Sequence, residues 1–283
     1  MTMPENLAGP YTALDVSLDG GVATILLANP PVNALSTEMM NELSWVLDRI
    51  SETPEVRAVV LSGQGKTFCA GADLKNRAAT IKGPGDLPQH SRRTRECFHA
   101  IRECAKPVVG AINGAALGAG LAIVASCDIL LAASDAVVGL PEINVGLLGG
   151  GRHGMRLFGH SRLRRMMLTG LRVDGNELYR LGVVEEALPA DALMPRALEL
   201  ARELASKSPL ATMLAKQTLN AIEDMSLRDG YRYEQDMTAA IAKTEDAMEA
   251  RRAFLEKRAP VYPNKVSTDL PDIWPEWREP EFR

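Results

Sequence analysis

The chain has 283 residues, of which 46% are hydrophobic and 24% are charged, and its formal net charge at pH 7 is −4. This length allows one large domain or two small ones with an ample buried core. The composition is that of an ordinary globular protein. The negative net charge argues against nucleic acid or an anionic membrane as the main partner.

The sequence shows no secretory signal and no membrane span. Its first ten residues, MTMPENLAGP, lack the basic and apolar regions of a signal peptide. The most apolar stretch, residues 114–127, is too short to cross a bilayer and predicts a buried helix instead. We therefore expect a cytoplasmic protein without a membrane partner.

The first half of the chain alternates between strand and helix patterns. Period-2 apolar patterns around Asp19-Gly20-Gly21 predict a β-hairpin, and Ser36 is a favoured N-cap for a helix that ends at Pro54. The predicted elements, in order, are strands over 14–18 and 22–27, a helix over 36–54, a strand over 58–61, a mobile loop over 82–88 and a helix over 89–104.

The stretch from residue 106 to residue 157 is the centre of the prediction. A strand over 108–112 breaks at Asn113-Gly114 and is followed by a Gly/Ala-rich turn and an apolar helix. A second strand over 129–132 leads towards Glu142, whose surroundings hold no other charge back to Asp135. Such a carboxyl group is either a paired structural acid or a proton-transfer group with a raised pKa. Asp128 is expected to tie down neighbouring backbone.

The second half of the chain is mostly helical. Asp174 and Glu177 have the spacing of a capping box, and Ser208-Pro209 is a typical helix start. The predicted elements are helices over 161–169 and 174–182, a strand over 183–188 and helices over 193–206 and 208–258. We expect a strand-rich α/β core over residues 10–190, a helical C-terminal part over 191–259 and an extended tail over 260–283.

Patterns that bind cofactors or metals are missing from the sequence. The four cysteines form neither a CxxC pair nor a cluster with histidine, which predicts reduced thiols and no metal site; they are Cys69, Cys97, Cys104 and Cys127. The run at 116–120 lacks the spacing of a dinucleotide loop, and there is no P-loop or GxSxG elbow. The sequence therefore predicts neither a nicotinamide enzyme nor an α/β-hydrolase.

Two motifs resemble those of one enzyme family. NGAALGAGLAIVASCDI at 113–129, followed by VGLPEINVGLL at 138–148, resembles the signature of the enoyl-CoA hydratase/isomerase (crotonase) family, and FCAGADLK at 68–75 resembles its second hallmark. The resemblance covers about residues 14–258. It implies a spiral of ββα repeats with a helical C-terminal part, an acyl-CoA substrate, no cofactor other than the coenzyme A of the substrate, and a homotrimer or homohexamer.

The resemblance also assigns a catalytic site. Chemistry at the α-carbon of a thioester needs two backbone amides that hold the enolate oxygen, and these are implied to be the amides of Ala72 and Ala119. It also needs a proton-transfer group, which is implied to be Glu142. Hydratases of the family use two glutamates, but the first falls on Ala122 here. The related 3-enoyl-CoA isomerases use one, and the aspartate of dienoyl-CoA isomerases is replaced by Gly150.

Further residues are implied around the substrate. The contacts to coenzyme A implied by the resemblance are Ala70, Asp73, Lys75, Phe254 and Lys257. Arg152 and His153 are either exposed residues at a helix start or polar groups of the pocket that orient water or a substrate carboxylate. The acyl group is expected to contact Ile81, Leu87, Phe98 and Leu147.

Several reactions are compatible with this set of residues. Double-bond isomerisation with Glu142 as sole acid and base fits best, because the second glutamate is missing. Hydration is the main alternative, followed by hydrolysis or decarboxylation of an acyl-CoA. A scaffold that binds acyl-CoA without turnover is a further alternative of a different class.

Overall fold

The computed structural model describes residues 4–266 and 268–271 of the chain. Two compact units are present, residues 1–206 and residues 207–283. The boundary therefore lies one helix later than the sequence indicated, since the helix Ala190–Ala205 packs on the strands of the first unit. Within the described ranges, no helix is both long and apolar enough to cross a membrane.

The first unit is built on a six-stranded sheet with the order β1-β2-β3-β4-β6-β9. The first two strands form the predicted antiparallel hairpin, and the other neighbours are parallel. Strands β3 and β4 are buried along their whole length, as is usual for parallel strands covered on both faces. The bounds are Leu14–Asp19 (β1), Val22–Leu27 (β2), Ala58–Gly63 (β3), Val108–Ile112 (β4), Ile129–Ala133 (β6) and Glu186–Leu188 (β9).

A second sheet of three short strands has the order β5-β7-β8. Its strands are Ala116–Leu117 (β5), Val137–Gly139 (β7) and Arg172–Asp174 (β8). Strands β4 and β6 of the large sheet are each followed directly by a strand of the small sheet. This alternation gives the predicted ββα repeats. Leu117 and Arg172 both pair with Gly139, one from each side, so the three residues form a row across the small sheet.

Helices fill the connections of the first unit. The predicted caps are confirmed, since Ser36 and Asp174 each accept a hydrogen bond from an amide in the first turn. The bounds are Thr37–Glu52 (α1), Leu74–Thr80 (α2), Asp86–Glu103 (α3), Ala119–Ser126 (α4), Gly151–Leu157 (α5), His160–Thr169 (α6), Gly175–Arg180 (α7) and Ala190–Ala205 (α8), with 3-10 helices at Glu5–Leu7 and Pro141–Val145.

The helix α3 begins earlier than its sequence indicated. The loop expected over 82–88 is shorter, because the Asp86 carboxylate accepts hydrogen bonds from the amides of Lys82 (2.9 Å) and Gly83 (2.8 Å) and fixes the helix start there. Pro88 lies in the first turn of α3, where a missing N–H costs no helical hydrogen bond. The preceding helix α2 was not predicted.

The second unit consists of three helices and an irregular segment. The helices are Pro209–Ile222 (α9), Leu227–Ile241 (α10) and Glu245–Glu256 (α11). The Asp246 carboxylate is 1% exposed; it accepts hydrogen bonds from the hydroxyl of Ser208 (2.5 Å) and the amide of Asn264 (3.0 Å). Residues 259–265 are irregular, as expected for the tail. Of the tail predicted over 260–283, residues 267 and 272–283 lie outside the described part of the chain.

Asn113 joins the C-terminal ends of β3 and β4. Its side-chain oxygen accepts a hydrogen bond from the amide of Gly63 (3.0 Å), and its side-chain NH2 donates to the carbonyls of Gly63 and Gly65 (both 2.9 Å). A similar role is confirmed for Asp128, whose carboxylate accepts from the amide of Val108 (2.7 Å). Asn113 thus holds together the strand ends from which the motif loops start, and Asp128 joins the opposite, N-terminal ends of β4 and β6.

Replacement of Asn113 by Asp should destabilise the chain. The change keeps the acceptor for Gly63 but puts a second acceptor oxygen against two carbonyls, so two hydrogen bonds are lost. We expect a loss of about 2–3 kcal/mol in the free energy of unfolding, measured as a lower urea midpoint. Asn113→Ala should cost a similar amount. An Asn113→Asp variant as stable as the wild type would contradict this role.

Candidate active site

A cavity of about 620 Å3 lies in the first unit, between α3, the small sheet and the 3-10 helix Pro141–Val145. It brings together residues that are far apart in the sequence. The predicted residues on its wall are Ala70, Ala72, Phe98, Ala119, Ala122, Glu142, Leu147, Gly150 and His153. The predicted residues of this unit that do not line it are Asp73, Lys75, Ile81, Leu87 and Arg152.

The segments that carry Ala72 and Ala119 run side by side. Leu117 donates its amide hydrogen to the carbonyl of Cys69 (2.9 Å), and Cys69 pairs with Ala116 as in a parallel sheet. This contact requires small residues, since a Cβ at Gly120 would clash with the carbonyl oxygen of Cys69. The two motifs therefore meet through their backbones.

Most backbone amides in these segments are occupied. Leu35 donates to the carbonyl of Gly71 (2.8 Å) and accepts from the amide of Asp73 (3.1 Å). Within residues 4–266, no backbone hydrogen bond uses the amide of Ala72 or of Ala119. Ala119 is the first residue of α4, where amides have no intrahelical acceptor and the helix dipole favours negative charge. Two donors are thus available at the cavity wall.

Glu142 faces these segments from the 3-10 helix. Its carboxylate lies so close to Gly118 that a side chain at residue 118 would clash with it. The Oε2 atom is buried and has no hydrogen-bond partner among the residues that the structure describes. Burial raises the pKa of Glu142, and a hydrogen bond from its own backbone amide acts in the opposite direction. A half-buried carboxyl group with a raised pKa suits proton transfer.

No second acid accompanies Glu142. It is the only carboxylate among the described residues that line the cavity. Ala122 lies on the same wall, is 2% exposed and presents only a methyl group. The site therefore offers two backbone donors and one proton-transfer group.

His153 lines the cavity, whereas its neighbour Arg152 is exposed and does not. The His153 ring packs edge-to-face on Phe98, with the ring centroids 5.0 Å apart. Burial lowers the pKa of His153, and so do the nearby positive charges, which are those of Arg156, His99, Arg152 and Arg102. The imidazole is therefore neutral at pH 7 and can both donate and accept a hydrogen bond.

Five polar residues on the described cavity wall were not found from the sequence: His90, Ser91, Thr94, Asn144 and Arg172. Four of them belong to no motif, whereas Asn144 lies two residues after Glu142 in the motif at 138–148. Arg172 lies in β8, a strand that the sequence pattern did not predict.

The residues implied to contact coenzyme A have different positions. Ala70 lines the cavity. Asp73, three residues later, is partly buried, and Lys75 is exposed on α2. Phe254 and Lys257 belong to the second unit, where Phe254 is 83% exposed and Lys257 ends α11. An aromatic side chain this exposed is available for a ligand or for another protein surface.

Comparisons with known proteins agree with the motifs. The sequence matches the enoyl-CoA hydratase/isomerase family over residues 17–265. A probable enoyl-CoA hydratase of Bacillus subtilis is 34% identical over 254 residues, which are 88% of this chain and 98% of that protein. The crystal structure of an enoyl-CoA hydratase from Bacillus anthracis superposes with a TM-score of 0.83 at 32% identity, covering 89% of this chain and 99% of that one.

A relative with a different reaction is about as similar. It is (7aS)-7a-methyl-1,5-dioxo-2,3,5,6,7,7a-hexahydro-1H-indene-carboxyl-CoA hydrolase of Mycobacterium tuberculosis, which is 34% identical over 237 residues, 84% of this chain and 96% of that protein. The chain belongs to the enoyl-CoA hydratase/isomerase family and has the crotonase fold, which confirms the family and the fold expected from the sequence. It is an acyl-CoA-processing enzyme of that family.

Replacement of Glu142 by Gln should stabilise the chain in a pH-dependent way. Because the pKa of Glu142 is raised from 4.5, the ionised side chain is less favourable in the folded chain than in the unfolded chain. The resulting loss in the free energy of unfolding is absent below pH 4.5. It grows as the pH rises from 4.5 to the folded-state pKa, and it is constant at higher pH. We expect Glu142→Gln to gain up to about 1 kcal/mol at pH 8, or about 2–4 °C in Tm, and nothing at pH 4.

The exposed Glu185 gives a matched control. The Tm of a Glu185→Gln variant should stay close to that of the wild type across the same pH range. If Glu142→Gln lowers the Tm at pH 8, the carboxylate has a stabilising partner, and the interpretation of its raised pKa is wrong.

Proposed function

We propose that the chain is an enoyl-CoA isomerase in which Glu142 is the sole acid and base. It removes a proton from the α-carbon of a 3-enoyl-CoA and returns it to the far carbon of the double bond. One observation carries this proposal: Glu142 is the only carboxylate on the wall of the cavity that the structure describes, and its buried Oε2 has no partner there.

Two backbone amides are proposed to hold the thioester oxygen. Removal of the proton develops negative charge on that oxygen. The amides of Ala72 and Ala119 lie on the same wall as Glu142 and make no backbone hydrogen bond within residues 4–266. A donor of this kind lowers the barrier by about 2.7–4 kcal/mol. The position of Ala119 at the start of α4 adds the favourable end of a helix dipole.

The methyl group of Ala122 favours isomerisation over hydration. Addition of water to a double bond requires that water be positioned and deprotonated while the α-carbon receives a proton. One carboxylate can move a proton between two carbons without activating water, but hydration in this family uses a second carboxylate where Ala122 stands. Hydration is therefore the alternative that needs a further group.

Hydrolysis of an acyl-CoA is a second candidate function. A hydrolase of Mycobacterium tuberculosis is about as similar to this chain as the hydratase of Bacillus subtilis. A pair of oxyanion donors and one general base is also sufficient for attack of water on a thioester carbonyl. Release of the coenzyme A thiol distinguishes this reaction from isomerisation.

The proposal includes the ligand contacts and the assembly. Coenzyme A enters as part of the substrate and no other cofactor is needed; its proposed contacts are Ala70, Asp73, Lys75, Phe254 and Lys257. The exposed Phe254 and the exposed cation of Lys75 suit the adenine and the phosphates, respectively. We expect a homotrimer or homohexamer in the cytoplasm.

Purified protein should convert 3-hexenoyl-CoA into the conjugated 2-enoyl thioester. The reaction is followed as a rise in the ultraviolet absorbance of the conjugated thioester. Glu142→Gln should lower the rate by about 100- to 10,000-fold, since the proton-transfer group is lost. The Glu185→Gln variant should keep the wild-type rate. A flat trace with wild-type protein that binds coenzyme A would contradict the isomerase proposal for this substrate, and thiol release would support the hydrolase.

The Ala122→Glu variant should gain hydration activity. The second carboxylate would then be present, so the absorbance of 2-hexenoyl-CoA should fall at least about 10-fold faster than with the wild type. Ala122→Gln has the same size without the charge and should show no gain. If the wild type already hydrates this substrate rapidly and Ala122→Glu adds nothing, one carboxylate suffices for hydration and the preference for isomerisation is wrong.

A further inference from the structure

The Arg172 side chain crosses the small sheet towards the cavity. Arg172 in β8 is paired with Gly139 in β7, and Gly139 is paired on its other side with Leu117 in β5. Side chains of directly paired residues lie on the same face of a sheet. A Cβ at Gly139 would lie 3.1 Å from Cγ of Arg172, so the stem of the arginine lies over the glycine. Both Leu117 and Arg172 line the cavity.

The guanidinium of Arg172 has no protein partner in the described ranges. Its neighbours in sequence differ, since Arg162 and Arg180 both bind the Glu177 carboxylate at 2.5–2.8 Å. Arg172 is not paired with Glu142 either, since no ion pair joins the two residues in the described ranges and Oε2 of Glu142 has no partner there. Five N–H donors are therefore available at the cavity wall.

Asn144 adds further donors beside Arg172. It lies on the 3-10 helix with Glu142 and also lines the cavity. Its Nδ2 atom lies 2.7 Å from the position that a Cβ of Gly170 would occupy, so it packs against the turn that leads into β8. No side-chain hydrogen bond of Asn144 is present within residues 4–266. Its amide is thus available to the same ligand.

Arg172 is the one residue of its kind on the cavity wall. Among the described lining residues it is the only arginine or lysine, and Glu142 is the only carboxylate. Arg172 is exposed, so a purely aliphatic acyl chain would leave its guanidinium to water. A carboxylate would satisfy it with two parallel N–H donors, the geometry for which arginine is best suited.

We propose that Arg172, together with Asn144, binds a carboxylate on the acyl group, so that the preferred substrates are coenzyme A thioesters of dicarboxylic acids. This specificity rests on the proposed function only in that the thioester is taken to bind in this cavity. It is independent of whether the bound thioester is isomerised, hydrated or hydrolysed.

Equilibrium binding of saturated thioesters tests the proposal without turnover. Isothermal titration would compare two matched pairs, glutaryl-CoA with pentanoyl-CoA and adipoyl-CoA with hexanoyl-CoA. At least one diacid should bind the wild type about 10-fold more tightly than its monoacid. Arg172→Gln should weaken that diacid by about 10- to 100-fold, as expected for a hydrogen bond to a charged group, and change the monoacid by less than about threefold.

Two further variants serve as controls. Arg172→Met keeps an apolar stem over Gly139 and should also abolish the preference for the diacid. Arg164→Gln removes an exposed arginine of α6 that does not line the cavity, and should leave all affinities unchanged. Thermal melting would show whether each variant is folded.

Three results would overturn the proposal. Equal affinity of the wild type within both pairs would show that no carboxylate is recognised, and a preference that survives both Arg172 variants would assign it to another residue. An equal loss for diacid, monoacid and unesterified coenzyme A would show that Arg172 binds the phosphates of the coenzyme instead. Failure of the isomerase assay with the binding preference intact would reject the proposed reaction but not this specificity.

Discussion

The backbone contact between residues 69–72 and residues 116–120 is the constraint on which the site depends. The two segments belong to different repeats, and a hydrogen bond from Leu117 to the carbonyl of Cys69 joins them. A single added carbon at Gly120 would separate them. Because the contact is made by main chain, its geometry follows from the strands β3 and β4 that precede the two segments. The large sheet thus determines the distance between the amides of Ala72 and Ala119, although neither residue belongs to that sheet.

Glu142 shows how a stable scaffold carries an unfavourable group. A buried carboxylate oxygen without a partner costs stability. Gly118 and Gly149 lie next to the carboxylate and have no side chains that could solvate it. Buried hydrophobic residues of the first unit surround both sheets and offset this cost. The same burial raises the pKa of Glu142, a direction that suits a group which must both accept and return a proton.

Local patterns predicted most of the large sheet and the capped helices, whereas the meeting of the two motifs was implied by the family resemblance. The hairpin, the strands β3 and β4 and the caps Ser36 and Asp174 follow from alternation and capping rules that act within a few residues. The short strands β7 and β8 did not, since a pairing of three residues is decided by distant partners. Arg172 was missed for that reason, and His153 could be placed on the cavity only when α5 was packed against Phe98. Side-chain chemistry was readable from motifs, whereas side-chain direction was not.

The buried Asp246 changes where the helical C-terminal unit ends. Its carboxylate is shared between Ser208, which starts the first helix of the unit, and Asn264, which lies beyond the last helix. The Asp246 amide in turn donates to the side chain of Asn264 (3.0 Å). A chain shortened directly after α11 would retain every helix yet lose two of these hydrogen bonds and leave part of a buried charge unsatisfied. In terms of domain limits, the minimal folded unit therefore extends through residue 264 and is longer than its secondary structure indicates.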